Sequence, residues 1–339
     1  MQQVLLIYTG GTIGMVKDAD TGVLCPFNFD NLLEQIPQLK TVEAKIDTLS
    51  IPDPKDSADM HPEDWQFLGQ LIFDKYDDYD GFVVLHGTDT MAYTSSALSF
   101  MFKNLTKPII FTGSQLPVGD IRTDALENVL TAIQIALLTK NGKPIITEVG
   151  LFFDSRLLRA NRSLKVSTNQ FNAFDSPNYP ALITSGVSLD INYMALLKSD
   201  FEKRTTFDLR LDSSVFVLKL HPGITKKMFE SLCVGVDFKI LIIESYGSGT
   251  VFIAKWFLDL VLKLKEHKKI VINCSQCVQG GVGEGIYESS KVLKDAEVLS
   301  SRDMTTESAL TKSMILLAKN DGILAFNDAF VTSFSGEIL

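Results

Sequence analysis

Val4-Leu5-Leu6-Ile7-Tyr8-Thr9-Gly10-Gly11-Thr12-Ile13-Gly14 opens the chain with an apolar run that stops on a glycine pair flanked by threonines. Val4 to Ile7 show no polar alternation, so they read as a strand buried on both faces, as in a parallel sheet covered by helices. Gly81-Phe82-Val83-Val84-Leu85-His86-Gly87-Thr88-Asp89-Thr90-Met91 repeats the arrangement further on. Each run delivers a threonine to the carboxyl end of a strand, which is where open α/β sheets build their sites. Two hydroxyls, an acid and a cluster of glycines converging there suggest a nucleophile with helpers, and require neither histidine nor cysteine.

Around these runs the first half of the chain alternates strand and helix. Strands are expected at 3–8, 82–86, 108–112 and 146–153, and helices at 62–75, 90–104 and 124–140, the last opened by Asp124 as N-cap. Helical connections between strands imply right-handed crossovers and a mostly parallel sheet. The pattern weakens between Gly186 and Ser214, then resumes with strands at 215–220, 240–244 and 270–274 and helices at 252–267 and 306–319. The expected fold class is therefore α/β, with two α/β domains. The larger, N-terminal one carries a mostly parallel, doubly wound sheet over 1–190. A linker spans 191–214, and a smaller C-terminal domain with a parallel sheet spans 215–339.

The 339 residues suffice for two ordinary cores, and 45% hydrophobic with 22% charged residues is the balance of a globular protein. A net charge of −9 argues against nucleic acid as a partner, because phosphate binding needs a clustered basic surface. No apolar run has the length of a membrane span, so no membrane partner is expected. Met1-Gln2-Gln3 leads into the first strand without a basic leader or cleavage site, which reads as a cytoplasmic chain. Cys274-Ser275-Gln276-Cys277 has redox or zinc spacing, but no second pair or nearby histidine completes a metal site. These two, with Cys25 and Cys233, read as buried or loop thiols.

Gly10-Gly11-Thr12-Ile13-Gly14 is not a dinucleotide fingerprint, because Thr9 stands at the first glycine position and the residues after Gly14 cannot open a helix. Residues 15–26, with Asp18, Asp20, Gly22 and Pro26, read instead as a loop that closes over a site. Asp89 and Thr88 would serve equally as helix caps if they stood alone. A second threonine loop on a neighbouring strand shifts the weight to chemistry. The helix beginning near Thr90 points its amide hydrogens back at this turn, a cradle for developing negative charge. A threonine hydroxyl needs a proton acceptor at neutral pH. The histidines at 61, 86, 221 and 267 are scattered and show no base spacing, whereas Lys165, in Asn161-Arg162-Ser163-Leu164-Lys165, follows a buried strand and an arginine-rich turn and is the candidate. By residue type alone, a lysine is more often an exposed surface group.

Together these segments resemble the two signature regions of bacterial-type L-asparaginases. Asp56-Ser57-Ala58-Asp59-Met60, Thr112-Gly113-Ser114-Gln115 and the Asn161–Lys165 turn are also similar to family segments, in the family order. The absent leader and the segment 93–100 favour the cytoplasmic type I branch. The resemblance covers essentially the whole chain. It implies hydrolysis of the L-asparagine side-chain amide to aspartate and ammonia through a threonine acyl-enzyme, with no cofactor and no metal. By position, Thr12 matches the nucleophile, and Thr88, Asp89 and Lys165 match a proton-handling group. The matched substrate-binding set is Gly11, Ser57, Ala58, Asp59, Thr88, Asp89 and Ser114, with Asp89 on the α-ammonium and Ser57 near the α-carboxylate. A homotetramer built from dimers, or a homodimer, is the implied assembly.

Two departures stand out. No tyrosine lies between Tyr8 and Tyr76, where relatives carry one on the lid, and Ala58 replaces an amide or hydroxyl side chain. The second asparagine site that makes some cytoplasmic relatives sigmoidal is also altered. Cys277 is retained, but Glu244 stands at its basic position and Leu164 at its hydroxyl position. The rival readings are an asparaginase-like amidotransferase subunit, a mixed glutaminase/asparaginase, and a non-catalytic amino-acid binding module.

Overall fold

The computed structural model describes residues 1–17, 24–26, 36–283, 293–320 and 322–339. They form two compact units, Met1–Leu209 and Arg210–Leu339. The first is built on an eight-stranded sheet of β1 (Gln3–Tyr8), β2 (Lys45–Ser50), β3 (Gly81–Leu85), β4 (Ile109–Thr112), β5 (Val149–Phe153), β6 (Arg156–Arg159), β7 (Ile183–Ser185) and β8 (Leu189–Ile191). Their spatial order is β2-β1-β3-β4-β5-β6-β7-β8. The first five are parallel, and β6 to β8 continue the sheet antiparallel. The sheet is thus mixed, with its parallel part where the two threonine loops were expected.

The order 2-1-3-4-5 has one consequence for function. The chain leaves β1 toward β2 on one side and leaves β3 toward β4 on the other, so a crevice opens at the carboxyl ends of β1 and β3. Register sharpens this. Tyr8 pairs with Ser50 and with Leu85, and Leu85 pairs with Thr112. Four loops, starting after residues 8, 50, 85 and 112, therefore leave the sheet from a single rung. Every residue of β3 and β5 is buried. That explains the unbroken apolar runs, since helices cover both faces of a parallel sheet. Val4, Leu6, Tyr8, Val83, Leu85 and Ile110 pack on one face against Val129, Ala132, Ile133 and Ala136.

The helices are α1 (Pro62–Asp74), α2 (Met91–Met101) and α3 (Ala125–Ala136). Proline at the first position of α1 sacrifices an amide that has no helical partner anyway. In α2 the small residues Ala92, Ser95, Ser96 and Ser99 are all buried. They let the chain after β6 lie against the helix, with Ser96 Oγ donating to the Ala160 carbonyl at 3.2 Å.

Two expected helices are shorter than their periodicity suggested. α2 gives way to Phe102–Lys103, which pairs with Thr206–Phe207, and Asn104 takes a φ of 52°. α3 gives way to a hairpin in which Thr139–Lys140 pairs with Lys143–Pro144. Its turn residues Asn141 and Gly142 have φ of 54° and 74°, the left-handed pair that an Asn-Gly hairpin uses.

The second unit holds a four-stranded, wholly parallel sheet of β9 (Val215–Lys219), β10 (Ile240–Ser245), β11 (Ile270–Ser275) and β12 (Leu299–Ser300), in that order. Strict alternation divides its residues. Leu241, Ile243 and Val271 face α4 (Lys226–Gly235) and α5 (Lys255–Glu266), while Ile240, Ile242 and Ile272 face α6 (Thr306–Lys319) and α7 (Ile323–Val331). A fully buried Lys312 donates to Glu337 at 2.5 Å and to the carbonyls of Phe330 and Thr332, which ties the C-terminal tail to α6. Among the described residues, no helix is long and apolar enough to cross a membrane. The two thiols described, Cys274 and Cys277, are free, one buried and one exposed.

Candidate active site

The loop after β1 turns on two glycines. Gly10 has a φ of 117° and Gly11 of 90°, values that a side chain makes costly. Space forbids a side chain as well. A Cβ on Gly10 would collide with the Lys55 backbone, and one on Gly11 would lie 2.5 Å from the Gly87 nitrogen. Gly87 is equally confined, since its Cβ would lie 2.6 Å from Ser57 Oγ. The loops after β1 and β3 thus meet backbone against backbone at Gly11 and Gly87, and the Ser57 side chain of the loop after β2 closes on Gly87. Thr9, whose amide and hydroxyl both donate to the Leu85 carbonyl at 3.0 Å, holds the first of these loops to β3.

Thr12 begins a short turn, Thr12–Gly14, and is half-buried. The Val118 amide donates to the Ile13 carbonyl at 3.4 Å, so this turn also adjoins the loop after β4. Beyond it, Met15–Lys17 pairs antiparallel with Leu24–Pro26. The expected closing loop falls mostly on 18–23, outside the described residues.

The loop after β3 does not cap its helix with Thr88 or Asp89. Both side chains turn to Lys165, whose Nζ lies 2.7 Å from Thr88 Oγ1 and 2.6 Å from Asp89 Oδ1. Lys165 is reached from the far end of the sheet. The chain leaves β6, passes through a turn at Ala160–Arg162 on the small-residue face of α2, and enters the short strand Leu164–Lys165, paired with Phe174–Asp175. The lysine side chain is 17% exposed and the Asp89 side chain 63%, so the pair sits at a rim with the ammonium inward. Solvent screens the ion pair there, and its contribution to stability is small. Its value is geometric.

Ser57 is buried at the start of the turn Ser57–Asp59. Its Oγ accepts from the Asp89 amide at 3.2 Å, and its carbonyl accepts from Thr90 Oγ1 at 2.6 Å. Asp56 accepts from the Ala58 amide at 3.0 Å and holds that turn. Ala58 and Asp59 follow Ser57 on it, and among the described residues no hydrogen bond or ion pair joins their side chains to Lys165 or Thr88. Ser114 is buried with its hydroxyl committed to the Leu116 carbonyl at 2.5 Å. Here Asp124 takes an unexpected part. It stands at the N-cap position of α3 without capping it, and its carboxylate accepts from the amides of Gln115 and Leu116 instead. Burial pushes its pKa up. Gln115 Nε2 donates to the Gln170 carbonyl at 2.9 Å, tying the loop after β4 to the segment that follows Lys165.

His86 shows no base or ligand spacing in the sequence, yet it adjoins the site through Gly87. It is 1% exposed, and its Nδ1 donates to the Gly87 carbonyl at 2.7 Å. Burial lowers its pKa to about 4, which keeps the ring neutral. Its sequence signal was simply adjacency to Gly87, which a search for base or ligand spacing passes over.

The arrangement offers a half-buried hydroxyl on one loop, and on the neighbouring loop a hydroxyl and a carboxylate in contact with the ammonium of Lys165, which arrives from the segment after β6. Such a constellation suits covalent catalysis on a small zwitterion, with the carboxylate for its ammonium and hydroxyls for proton transfer.

Comparison with known proteins is consistent with this chemistry. Residues 3–196 match the family model described as Asparaginase, N-terminal, and residues 214–330 match the Glutaminase/Asparaginase C-terminal domain. L-asparaginase 1 of Escherichia coli K12 is 36% identical over 342 residues, covering 99% of this chain and 98% of that protein. Among solved structures, the thermostable L-asparaginase of Thermococcus kodakarensis superposes with a TM-score of 0.90 at 31% identity, covering 100% of this chain and 99% of that one. L-asparaginase I of Vibrio cholerae gives 0.89 at 34%, again covering 100% and 99%.

Proposed function

From the premise that this chain belongs to the asparaginase family, we propose that it hydrolyses the side-chain amide of L-asparagine to L-aspartate and ammonia. The observation that carries the reading is the contact of Lys165 Nζ with Thr88 Oγ1 and Asp89 Oδ1 at the β1–β3 crevice. Thr12 is the nucleophile. Its oxygen attacks the amide carbon, and its proton enters the Thr88–Lys165–Asp89 group: Thr88 takes it and hands its own to Lys165, which passes one of its protons to the Asp89 carboxylate. The tetrahedral intermediate collapses with transfer of a proton to the leaving nitrogen, which departs as ammonia. Water then adds to the aspartyl ester, returns the proton to Thr12 and releases aspartate. Two moderate barriers replace one high barrier.

Asp89 receives the substrate's α-ammonium, and the exposure of its carboxylate leaves that face open to a ligand. Ser57 and the amides of its turn, with Ala58 and Asp59, receive the α-carboxylate. Gly11 gives the backbone close approach, and Ser114 shapes the turn beside the reacting amide. Binding a zwitterion through a fixed anion and a set of donors orients the scissile amide as well as holding it. The protein acts in the cytoplasm as a homodimer or homotetramer of dimers.

Ammonia release from L-asparagine and L-glutamine, measured side by side from micromolar to millimolar, tests the reading. Saturable release from asparagine is expected, with glutamine slower. One methylene separates the two substrates, and a pocket discriminates at that scale by about 10- to 200-fold. Equal rates would make the enzyme a mixed glutaminase/asparaginase. Binding of asparagine without ammonia release would make it an amino-acid binding module. Light scattering after gel filtration reads the assembly.

A further inference from the structure

We infer that Arg156 is a positioning residue for Lys165: its guanidinium grips the strand Phe174–Asp175, and that strand sets where the lysine's backbone lies. The inference rests on the hydrolase reading above and adds a residue that this reading leaves unassigned.

Leu164–Lys165 and Phe174–Asp175 form a ribbon of two rungs, Leu164 opposite Asp175 and Lys165 opposite Phe174. It is separate from the eight-stranded sheet. The Val166 amide adds one bond to it, donating to the Ala173 carbonyl at 2.8 Å. So short a ribbon has no stability of its own and must be fastened to something. Its second strand is fastened to the β5–β6 hairpin at a ring and at a guanidinium. The buried Phe174 ring meets that of Phe153, with centroids 5.1 Å apart. Arg156 stands directly opposite Phe153 in the ladder, so its side chain leaves from the same face. Its Nη1 donates to Asp175 Oδ1 and its Nη2 to the Phe174 carbonyl, both at 2.9 Å.

The hairpin itself is held at some cost. Asp154 and Ser155 join β5 to β6 with φ of 42° and 69°, a turn that asparagine and glycine make more easily. It puts Arg156 on the last rung, within reach of the short strand. Fold stability does not explain what the arginine does there. The Arg156 and Asp175 side chains are 35% and 40% exposed, so water screens the pair and it adds little. A planar guanidinium fixes direction as well as distance, because its two N–H groups meet two acceptors at once. One of those acceptors is the carbonyl of the residue opposite Lys165. The lysine's Nζ lies 2.7 Å from Thr88 Oγ1 and 2.6 Å from Asp89 Oδ1. A displacement of about 1 Å would spoil both contacts. The buried turn Ala160–Arg162 sets the lysine's backbone from one end, and Arg156 sets it from the side.

Three substitutions in the full chain separate grip from charge. Arg156→Lys keeps the charge but brings one nitrogen on a shorter stem, which cannot reproduce the two-pronged contact. Arg156→Met removes both. Asp175→Asn removes the carboxylate's charge and keeps an oxygen for Nη1. Both Arg156 variants are expected to lose about 10- to 100-fold in kcat for L-asparagine, with KM changed less than about threefold. Asp175→Asn should lose less than about fivefold, since a neutral acceptor weakens the bond without abolishing it. On a Lys165→Met background, Arg156→Met should lower single-turnover aspartate formation by less than about a further twofold, because it acts only through the lysine. Urea midpoints show which variants are folded. The comparison of Arg156→Lys with Asp175→Asn decides the matter where the Lys165→Met background is too slow to follow. Undiminished kcat in a folded Arg156→Met, equal losses in Arg156→Lys and Asp175→Asn, or a fully multiplicative loss on the Lys165→Met background would overturn the inference. Wild-type protein that releases no ammonia from asparagine would instead overturn the reading on which it rests.

Discussion

Lys165 Nζ and Thr88 Oγ1 lie 2.7 Å apart although 77 residues of chain separate them. The contact depends on two independent placements, β3 delivering Thr88 and the segment along α2 delivering the lysine. A pair that passes one proton acts as a unit, so its losses should not add. Thr88→Ala and Lys165→Met are each expected to cost about 10³- to 10⁴-fold in kcat, and the double variant no more than about tenfold beyond the worse single one. Strictly multiplicative losses in steady-state kinetics would mean that the two residues act separately.

Thr12→Ala should abolish turnover, by about 10⁴-fold or more, as removal of other covalent nucleophiles does. Its side chain is half-buried on a turn and lends the core little, so the unfolding midpoint should stay within the range of a surface substitution, about 0.5 kcal/mol. Quenched-flow trapping of an aspartyl-enzyme adduct in wild type and its absence in the variant complete the test. If Thr12→Ala kept a tenth of the rate while Thr88→Ala did not, the two threonines would have exchanged roles.

These residues differ in how plainly the chain announced them. Strands β1 and β3 were legible because burial on both faces forces an unbroken apolar run, and the glycines behind them because close loops need them. Lys165 was not legible from its own surroundings, where a surface lysine is the ordinary expectation. Its partners are 76 and 77 residues away, and no local periodicity encodes such a contact. Ser57, Ala58, Asp59 and Ser114 came from resemblance to family segments, since short turns of small polar residues look alike. Asp124 was assigned the role its position favours, yet its carboxylate serves a turn nine residues back. The ends of α2 and α3 were overrun because Phe102, Leu137 and Leu138 carry the apolar spacing beyond the last helical turn, toward Asn104 and Asn141, where the backbone takes positive φ.

Asp89→Asn should chiefly harm recognition of the α-ammonium. The carboxylate is 63% exposed before substrate arrives, so water already screens it. The expected rise in KM is therefore about 10- to 100-fold, less than the upper range for truncating a desolvated charge pair. A smaller fall in kcat follows, because the amine helps align the amide. Saturation curves with L-asparagine and with its desamino analogue separate the two effects. An unchanged KM for asparagine would remove Asp89 from the binding site.

Saturation with L-asparagine should be hyperbolic, with a Hill coefficient near one. At the position where sigmoidal relatives place a basic residue, Glu244 has its Oε1 accepting from Thr306 Oγ1 at 2.7 Å. A carboxylate there repels an effector's α-carboxylate, where arginine would grip it with two hydrogen bonds. Leu164 supplies no hydroxyl to compensate. An effector shifts a conformational equilibrium only through differential affinity, so a weakened site removes the cooperativity. A sigmoidal curve that Glu244→Ala leaves unchanged would defeat this argument.

His86 gives stability a definite pH dependence. An unfolded chain protonates this histidine near 6.5, whereas in the fold burial lowers its pKa to about 4. Between those values the unfolded state binds a proton that the native state refuses, so stability falls as pH falls from 6.5 toward 4 and is fully present above 6.5. The full shift corresponds to about 3 kcal/mol, at about 1.4 kcal/mol per pH unit. Asp124 and Glu307, whose pKa values burial raises, oppose this trend in the acid range, so the histidine must be isolated by subtraction. Urea unfolding of wild type and His86→Asn at pH 7.5, 6.5, 5.5 and 4.5 does so. The difference in stability should stay constant above pH 6.5 and shift against the wild type by about 1 kcal/mol per unit below it. A difference that does not vary with pH would mean that the ring is protonated as easily in the fold as outside it, and that its Nε2 is not shut away from water.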